Sequence, residues 1–263
     1  MAYVPFAPAS LAEIRKHIPR GPLHDYLAKF AWQDKVLFFD DFLGDAINLD
    51  MYAVANSSGT SAADFAHNLQ RNGAIQSDTG TDDNGSVSII GAINWYGDYN
   101  AGMEVRIKTD VVTDVNLEVG FIDAVPAANA GGVTDEDTPT TAFADGALMS
   151  VDTDETFKKL GFYTKGSTAG QGVKRTSLGP VPSLTGTTDA LPVADTYFTV
   201  AVQLVGNSAY LFVNNKLMAS HDDDPQGNLE GGVALAPWIY TRTRSTTAVF
   251  TSIDYIAMWA DRS

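Results

Sequence analysis

From Val36 onward the chain carries run after run in which apolar residues recur at every second position, and that period admits strands and little else. Met103-Glu104-Val105-Arg106-Ile107-Lys108 alternates apolar and charged without exception, and Val115, Leu117, Val119 and Phe121 form a second such face. Further runs predict strands over 36–42, 86–93, 147–152, 160–165, 173–178, 197–205, 209–219, 232–240 and 248–259, about eleven in all. Composition agrees: of the 32 acidic residues 26 are Asp and 6 are Glu, with 23 Gly beside them, and Asp and Gly serve turns where Glu serves helix interiors. Asn72-Gly73, Asn84-Gly85, Gly206-Asn207 and Asn214-Asn215 are hairpin signals between these runs.

The first 35 residues differ in kind. They carry five Lys/Arg against three acids, net +2, whereas residues 36–263 carry 12 against 29, net −17. After the Pro-punctuated Tyr3 to Pro8, Ser10 and Glu13 have capping-box spacing, and Leu11, Ile14 and Ile18 share one helical face up to Pro19. Leu23, Tyr26, Leu27 and Phe30 repeat the pattern. Two helices this short are unstable alone and need a surface to dock on. The expected organisation is thus an N-terminal arm and helical docking segment over 1–35 and a β-sandwich over 36–263. Tyr3, Phe6, Leu11, Ile14, Ile18, Leu27 and Phe30 are the docking residues.

Several function classes are excluded or disfavoured. With no cysteine there is no disulfide, thiolate metal site or cysteine nucleophile. The formal charge of −15 repels phosphate backbones, so nucleic acid is not an expected partner. No apolar run of about 18 residues predicts membrane insertion, and the N-terminus lacks the order of a secretory signal, so synthesis in a cytoplasm is expected. Residues 124–146 and 179–194 are rich in Pro, Gly, Thr and Ala and are predicted to be long surface loops. Many strands without a fixed-period repeat predict a mainly β fold, an antiparallel β-sandwich of jelly-roll type.

Five segments resemble the concanavalin A-like (laminin G-like) jelly rolls found as modules of bacteriophage virion proteins. Phe38-Phe39-Asp40-Asp41-Phe42-Leu43-Gly44 is similar to their first strand, and 101–108 with 117–123 to their central strand pair. Residues 197–220 resemble their hairpin, with Asn214-Asn215 where Asn-Gly is usual, and 252–259 resemble their closing strand. The resemblance implies the sandwich and a virion context. It does not imply a chemistry, because this fold hosts lectins, glycosidases and architectural modules.

Catalytic patterns are sparse. Jelly-roll glucanases carry a Glu-x-Asp-x-Glu type motif, and the nearest match is Val151-Asp152-Thr153-Asp154-Glu155, where Asp152 and Asp154 share a face and Glu155 does not. A solvated strand end is the plainer reading. Asp78, Asp82 and Asn84 have hand-like spacing, but Gly80 fills a ligand position and the distal Glu is missing; His221-Asp222-Asp223-Asp224 is the other acidic cluster, and both read as ordinary turns. His17, His24, His67 and His221 are scattered, and neither a Gly-x-Ser-x-Gly elbow nor a phosphate loop occurs. No cofactor, metal or catalytic residue is therefore expected. Trp238 and Tyr240, alternating with Ile239, read as core or an oligomer contact.

The softer signal is aromatic. Trp95, Tyr96, Asp98, Tyr99 and Asn100 gather three rings and two polar side chains at a strand end, where sugars stack and hydroxyls find partners. The plainer alternative is a core Trp95 with the tyrosines covering a sheet edge. Three readings follow. The first is a non-enzymatic virion structural protein on the virion surface, a capsid decoration or head-fibre subunit whose partners are virion proteins, above all the major capsid protein, and further copies in a symmetric oligomer. The alternatives are a tail-fibre or spike module binding host surface glycans and, last, a glycan depolymerase.

Overall fold

The computed structural model describes residues 35–43, 47–57, 64–67, 73–92, 94–126, 130–155, 160–168, 172–178, 192–222 and 229–262. The predicted helices and the docking residues Tyr3 to Phe30 lie outside them. Seventeen strands are described: β1 (Lys35–Asp40), β2 (Tyr52–Asn56), β3 (Asp64–His67), β4 (Ile75–Asp78), β5 (Ser86–Gly91), β6 (Gly102–Thr109), β7 (Val115–Ile122), β8 (Val133–Asp135), β9 (Thr140–Thr141), β10 (Gly146–Asp152), β11 (Gly161–Lys165), β12 (Lys174–Ser177), β13 (Phe198–Val205), β14 (Ser208–Val213), β15 (Lys216–His221), β16 (Ala236–Thr243) and β17 (Phe250–Asp261). The one helical element among the described residues is a 3₁₀ turn, Gly97–Tyr99.

Two antiparallel sheets make the sandwich. One runs β15-β14-β13-β6-β17-β4-β3, and the other β12-β11-β10-β7-β16-β5-β2. The twelve-residue β17 serves two neighbours on one edge, pairing its first part with β4 and its second with β1. A bulge between Ile253 and Tyr255 shifts its register against β6. Between the sheets lies the main core, into which alternation sends Met103, Val105 and Ile107 from β6 and Leu117, Val119 and Phe121 from β7.

The hairpins follow their turn chemistry. Val205 pairs with Ser208 across Gly206-Asn207, with Gly206 at φ +55°, and Val213 pairs with Lys216 across Asn214-Asn215. Both asparagines have positive φ, 48° and 63°, as a type I′ turn requires, so Asn-Asn does here what Asn-Gly usually does.

Residues 124–146 depart from the expected surface loop. Part of this segment folds as the β8–β9 ribbon over the outer face of the second sheet and buries Val133, Glu136 and Phe143. Beneath it Ile122, Leu148, Tyr163, Trp238 and Tyr240 form a second apolar layer, with the Trp238 and Tyr240 rings stacked at 5.6 Å and 12°. That layer explains why β7 and β10 are buried at every residue although their sequences alternate. Sequence periodicity sees one buried face; it cannot see a ribbon returning from elsewhere to cover the other. The second predicted loop, 179–194, lies largely outside the described residues. Trp238 and Tyr240 belong to this inner layer rather than to an exposed contact.

Candidate functional site

The aromatic cluster begins where Trp95 leaves β5 and forms a lone antiparallel bridge with Leu235. Leu235 donates its N–H to the Trp95 carbonyl at 2.8 Å and accepts from the Trp95 N–H at 3.1 Å, which anchors the ring in the core. The chain then turns tightly. Asn100, at φ 52°, donates its N–H to the Gly97 carbonyl and closes the 3₁₀ turn. Gly206 donates to the same carbonyl at 2.8 Å, and Asp98 donates its N–H to the Gly231 carbonyl at 3.0 Å. Gly97 must be glycine here: a Cβ would lie 2.2 Å from the Gly206 carbonyl oxygen.

This turn presents Tyr96 and Tyr99, whose rings meet edge to face at 5.7 Å and 82°. With Trp95 they line a cavity of about 500 Å³, closed on its far side by Val36, Ala260, Asp261 and Arg262 from the paired ends of β1 and β17. Asn100 stands behind it, donating Nδ2 to Asp261 Oδ2 at 2.9 Å, and so orients a lining carboxylate. Of the five residues singled out from the sequence, Trp95, Tyr96 and Tyr99 line the cavity and Asn100 supports it. Asp98 does not take part; its carboxylate turns against Gly231. Trp95 is also a core residue, as the plainer reading of the cluster expects.

Sequence reasoning missed Asp261, Arg262 and Gln203. Gln203 on β13 donates Nε2 to the Asn100 carbonyl at 2.8 Å and accepts at Oε1 from the Trp259 indole at 2.8 Å. The indole in turn lies over Gly102, where a Cβ would sit 2.4 Å from the ring. Strand pairing alone brings these groups together, across 161 residues for Asn100 and Asp261. No local signal in the sequence marks them.

The other candidates have structural partners. Asp152 is not a solvated strand end: it is buried, ion-paired with Arg244, 3.7 Å from Arg242 and bonded by Asn116 Nδ2 at 2.9 Å. Asp154 is exposed. Asp78 accepts the Gly80 N–H at 2.7 Å, and Asn84 Oδ1 accepts from Arg244 Nη1 at 3.0 Å. His221 is buried, its ring nitrogens 2.7 Å from the hydroxyls of Thr164 and Thr176, and thereby ties β15 to β11 and β12 of the other sheet.

Under the β8–β9 ribbon lies a second polar group. Glu118 accepts from the Gly132 and Val133 N–H groups at 2.6 and 3.0 Å and from the Trp238 indole at 2.8 Å. Burial pushes its carboxyl up, and those three donors oppose the shift. Glu136 accepts from Ser150 Oγ at 2.6 Å, and burial raises it to about 8. Glu118 and Glu136 are buried, 0% and 1% exposed, so neither carboxyl is open to solvent.

An antiparallel jelly-roll sandwich with this topology has solved counterparts. The Emp47p carbohydrate recognition domain is 12% identical with a TM-score of 0.55, covering 89% of this chain and 100% of that one. The Bacillus licheniformis beta-glucanase is 12% identical at 0.52, covering 86% and 98%. A protein of unknown function from Shewanella oneidensis MR-1 is 11% identical at 0.52, covering 100% and 98%. At such identities the likeness is one of fold, the concanavalin A-like jelly roll. No family model matches the sequence, and no curated protein does.

Proposed function

We propose that this chain is a carbohydrate-binding jelly-roll protein that performs no hydrolysis and takes a glycan into the cavity beside Trp95. The observation that carries the reading is the cavity itself, about 500 Å³ with three aromatic residues set against a lining carboxylate. Sugars offer apolar C–H faces and a rim of hydroxyls. Tyr96 and Tyr99 supply the faces to stack on, while Asp261 and Asn94 supply hydrogen-bonding groups. The names of the structural neighbours, a carbohydrate recognition domain and a glucanase among them, support the same ligand class. The non-hydrolytic part rests on burial, since Glu118 and Glu136 are covered and Asp152 is spent on Arg244. Glycan-array screening followed by calorimetry tests the binding. Saturable binding that Tyr99→Ala weakens about tenfold is expected, and no binding to any glycan would overturn the reading. Release of reducing ends from a bound polysaccharide would overturn the non-hydrolytic part.

The virion reading is a second proposal: a capsid decoration or head-fibre subunit at the virion surface, attached through residues 1–35 to a virion protein. It is favoured by the apolar residues that follow that segment, Leu37, Phe39, Leu43, Leu49 and Met51, all exposed. Removing residues 1–32 should leave a folded sandwich that no longer joins particles; continued incorporation would refute the attachment.

A further inference from the structure

The β8–β9 ribbon sits over the second sheet on two buried carboxyls that differ in one respect. Both Glu118 oxygens are occupied by N–H donors, two of them from the ribbon itself, and those bonds oppose the upward push of burial. Glu136, carried by the turn between β8 and β9, receives one bond from Ser150 at Oε1, while its buried Oε2 has no hydrogen-bond partner. Its neighbourhood is mostly of like charge. Glu118 faces it from β7 and Glu155 from beyond β10, and Asp135 and Asp137 flank it in sequence. Arg175 on β12, which bonds the Glu136 carbonyl, is the nearest cation, Arg244 and Arg242 are the others on this face, and Tyr163 on β11 and Tyr240 on β16 are its remaining titratable groups. An uncompensated charge at that depth is costly, and a proton removes the cost.

We propose that the ribbon is a proton-locked cover: with Glu136 protonated it stays seated on Trp238 and Tyr240, and loss of that proton releases residues 130–145 and opens the face beneath. The switch is local. The sandwich core between the two sheets does not contain Glu136, so the ribbon can lift while β6, β7, β13 and β17 stay paired. The upward shift of Glu136 to about 8 places the release in mildly alkaline solution. Asp145, at the far end of the segment, is raised to about 7 and titrates nearby, so the assignment to Glu136 needs its own variant.

Amide hydrogen exchange between pH 5.5 and 9.5, corrected for intrinsic rates, tests this on the whole protein. Protection of Gly132 and Val133 should fall at least tenfold across the range in the wild type, with Trp238 becoming accessible to a fluorescence quencher in step, while β6 and β13 stay protected. Glu136→Gln, which cannot lose a proton, should hold protection constant. Ser150→Ala removes the donor that favours the charged form, so the midpoint should move to higher pH. Protection independent of pH in the wild type overturns the proposal. So does an unchanged transition in Glu136→Gln, or a midpoint that Ser150→Ala leaves in place.

Discussion

Tyr99 illustrates how exposure separates a position proposed for binding from one that serves folding. Its ring is 37% exposed, in edge contact with Tyr96 and otherwise open to the cavity. Truncation to alanine should change stability by no more than about 0.5 kcal/mol in a denaturant titration, as at surface positions generally, while removing a stacking face from the cavity. Asp152 is the opposite case. It is 3% exposed on its side chain and holds Arg244, itself 10% exposed, so Asp152→Ala leaves a buried guanidinium without its counter-charge. A loss of about 3–5 kcal/mol in unfolding free energy is expected. A loss below about 1 kcal/mol would mean that water reaches Arg244 once the carboxylate is gone. The burial of Asp152 could not be read from the sequence, where it is one more acid in an acidic run.

Among the elements, the hairpin β14–β15 and the crossing of β6 with β17 show local and tertiary control side by side. In the hairpin, both turn residues are forced into the left-handed region, and Asn tolerates it less well than Gly. Asn215→Gly should therefore raise thermal stability slightly, by about 0.5 kcal/mol, without moving the register. At the crossing, Gly102 leaves room for the Trp259 indole that Gln203 holds. Gly102→Ala should cost about 1–3 kcal/mol by overpacking and should disturb the turn at Asn100, read by calorimetry and by the tyrosine resonances of the cavity. The turn was legible because its residues are adjacent, but the run 209–219 read as one strand is two, β14 and β15, divided at Asn214-Asn215. The Gly102 contact was not legible, because Trp259 is brought there only by strand pairing. The short strands β2, β3, β4, β8 and β9 were missed for a related reason: two to five residues carry too few alternations to stand out from a loop.

For the whole molecule, charge and burial combine into a pH dependence. Burial raises Glu136 from its ordinary 4.5 to about 8 and Asp145 from 3.8 to about 7. Each therefore binds a proton more tightly folded than unfolded. Their contribution is complete below the unfolded values and is lost as pH rises through the folded ones. Self-repulsion of a body with net charge −17 over residues 36–263 acts in the same direction. The melting temperature should fall between pH 5 and pH 8.5 by roughly 5 °C or more, at about 2–4 °C per kcal/mol for a domain of this size. Asp145→Asn should flatten the slope around neutrality. A melting temperature that rises over the same interval would show that carboxylates depressed by ion pairing dominate instead.

Alternation, turn residues and the Asp excess were enough to determine a mainly β antiparallel sandwich, most of its longer strands and the aromatic concentration at Trp95, because each is a property of neighbours in sequence. Which residues complete the cavity was decided by tertiary structure alone. Asp261 reaches Asn100 through the pairing of β17 with β6, and Val36 arrives through β1 on the other side. The same holds for the covered second face. Alternation along β7 announces one buried side, and only the return of residues 130–145 makes Glu118 an internal acceptor and Glu136 a buried acid. The physical reason is that periodicity records how a strand meets its own sheet, whereas burial of its outer face depends on a separate segment that the tertiary structure lays across it.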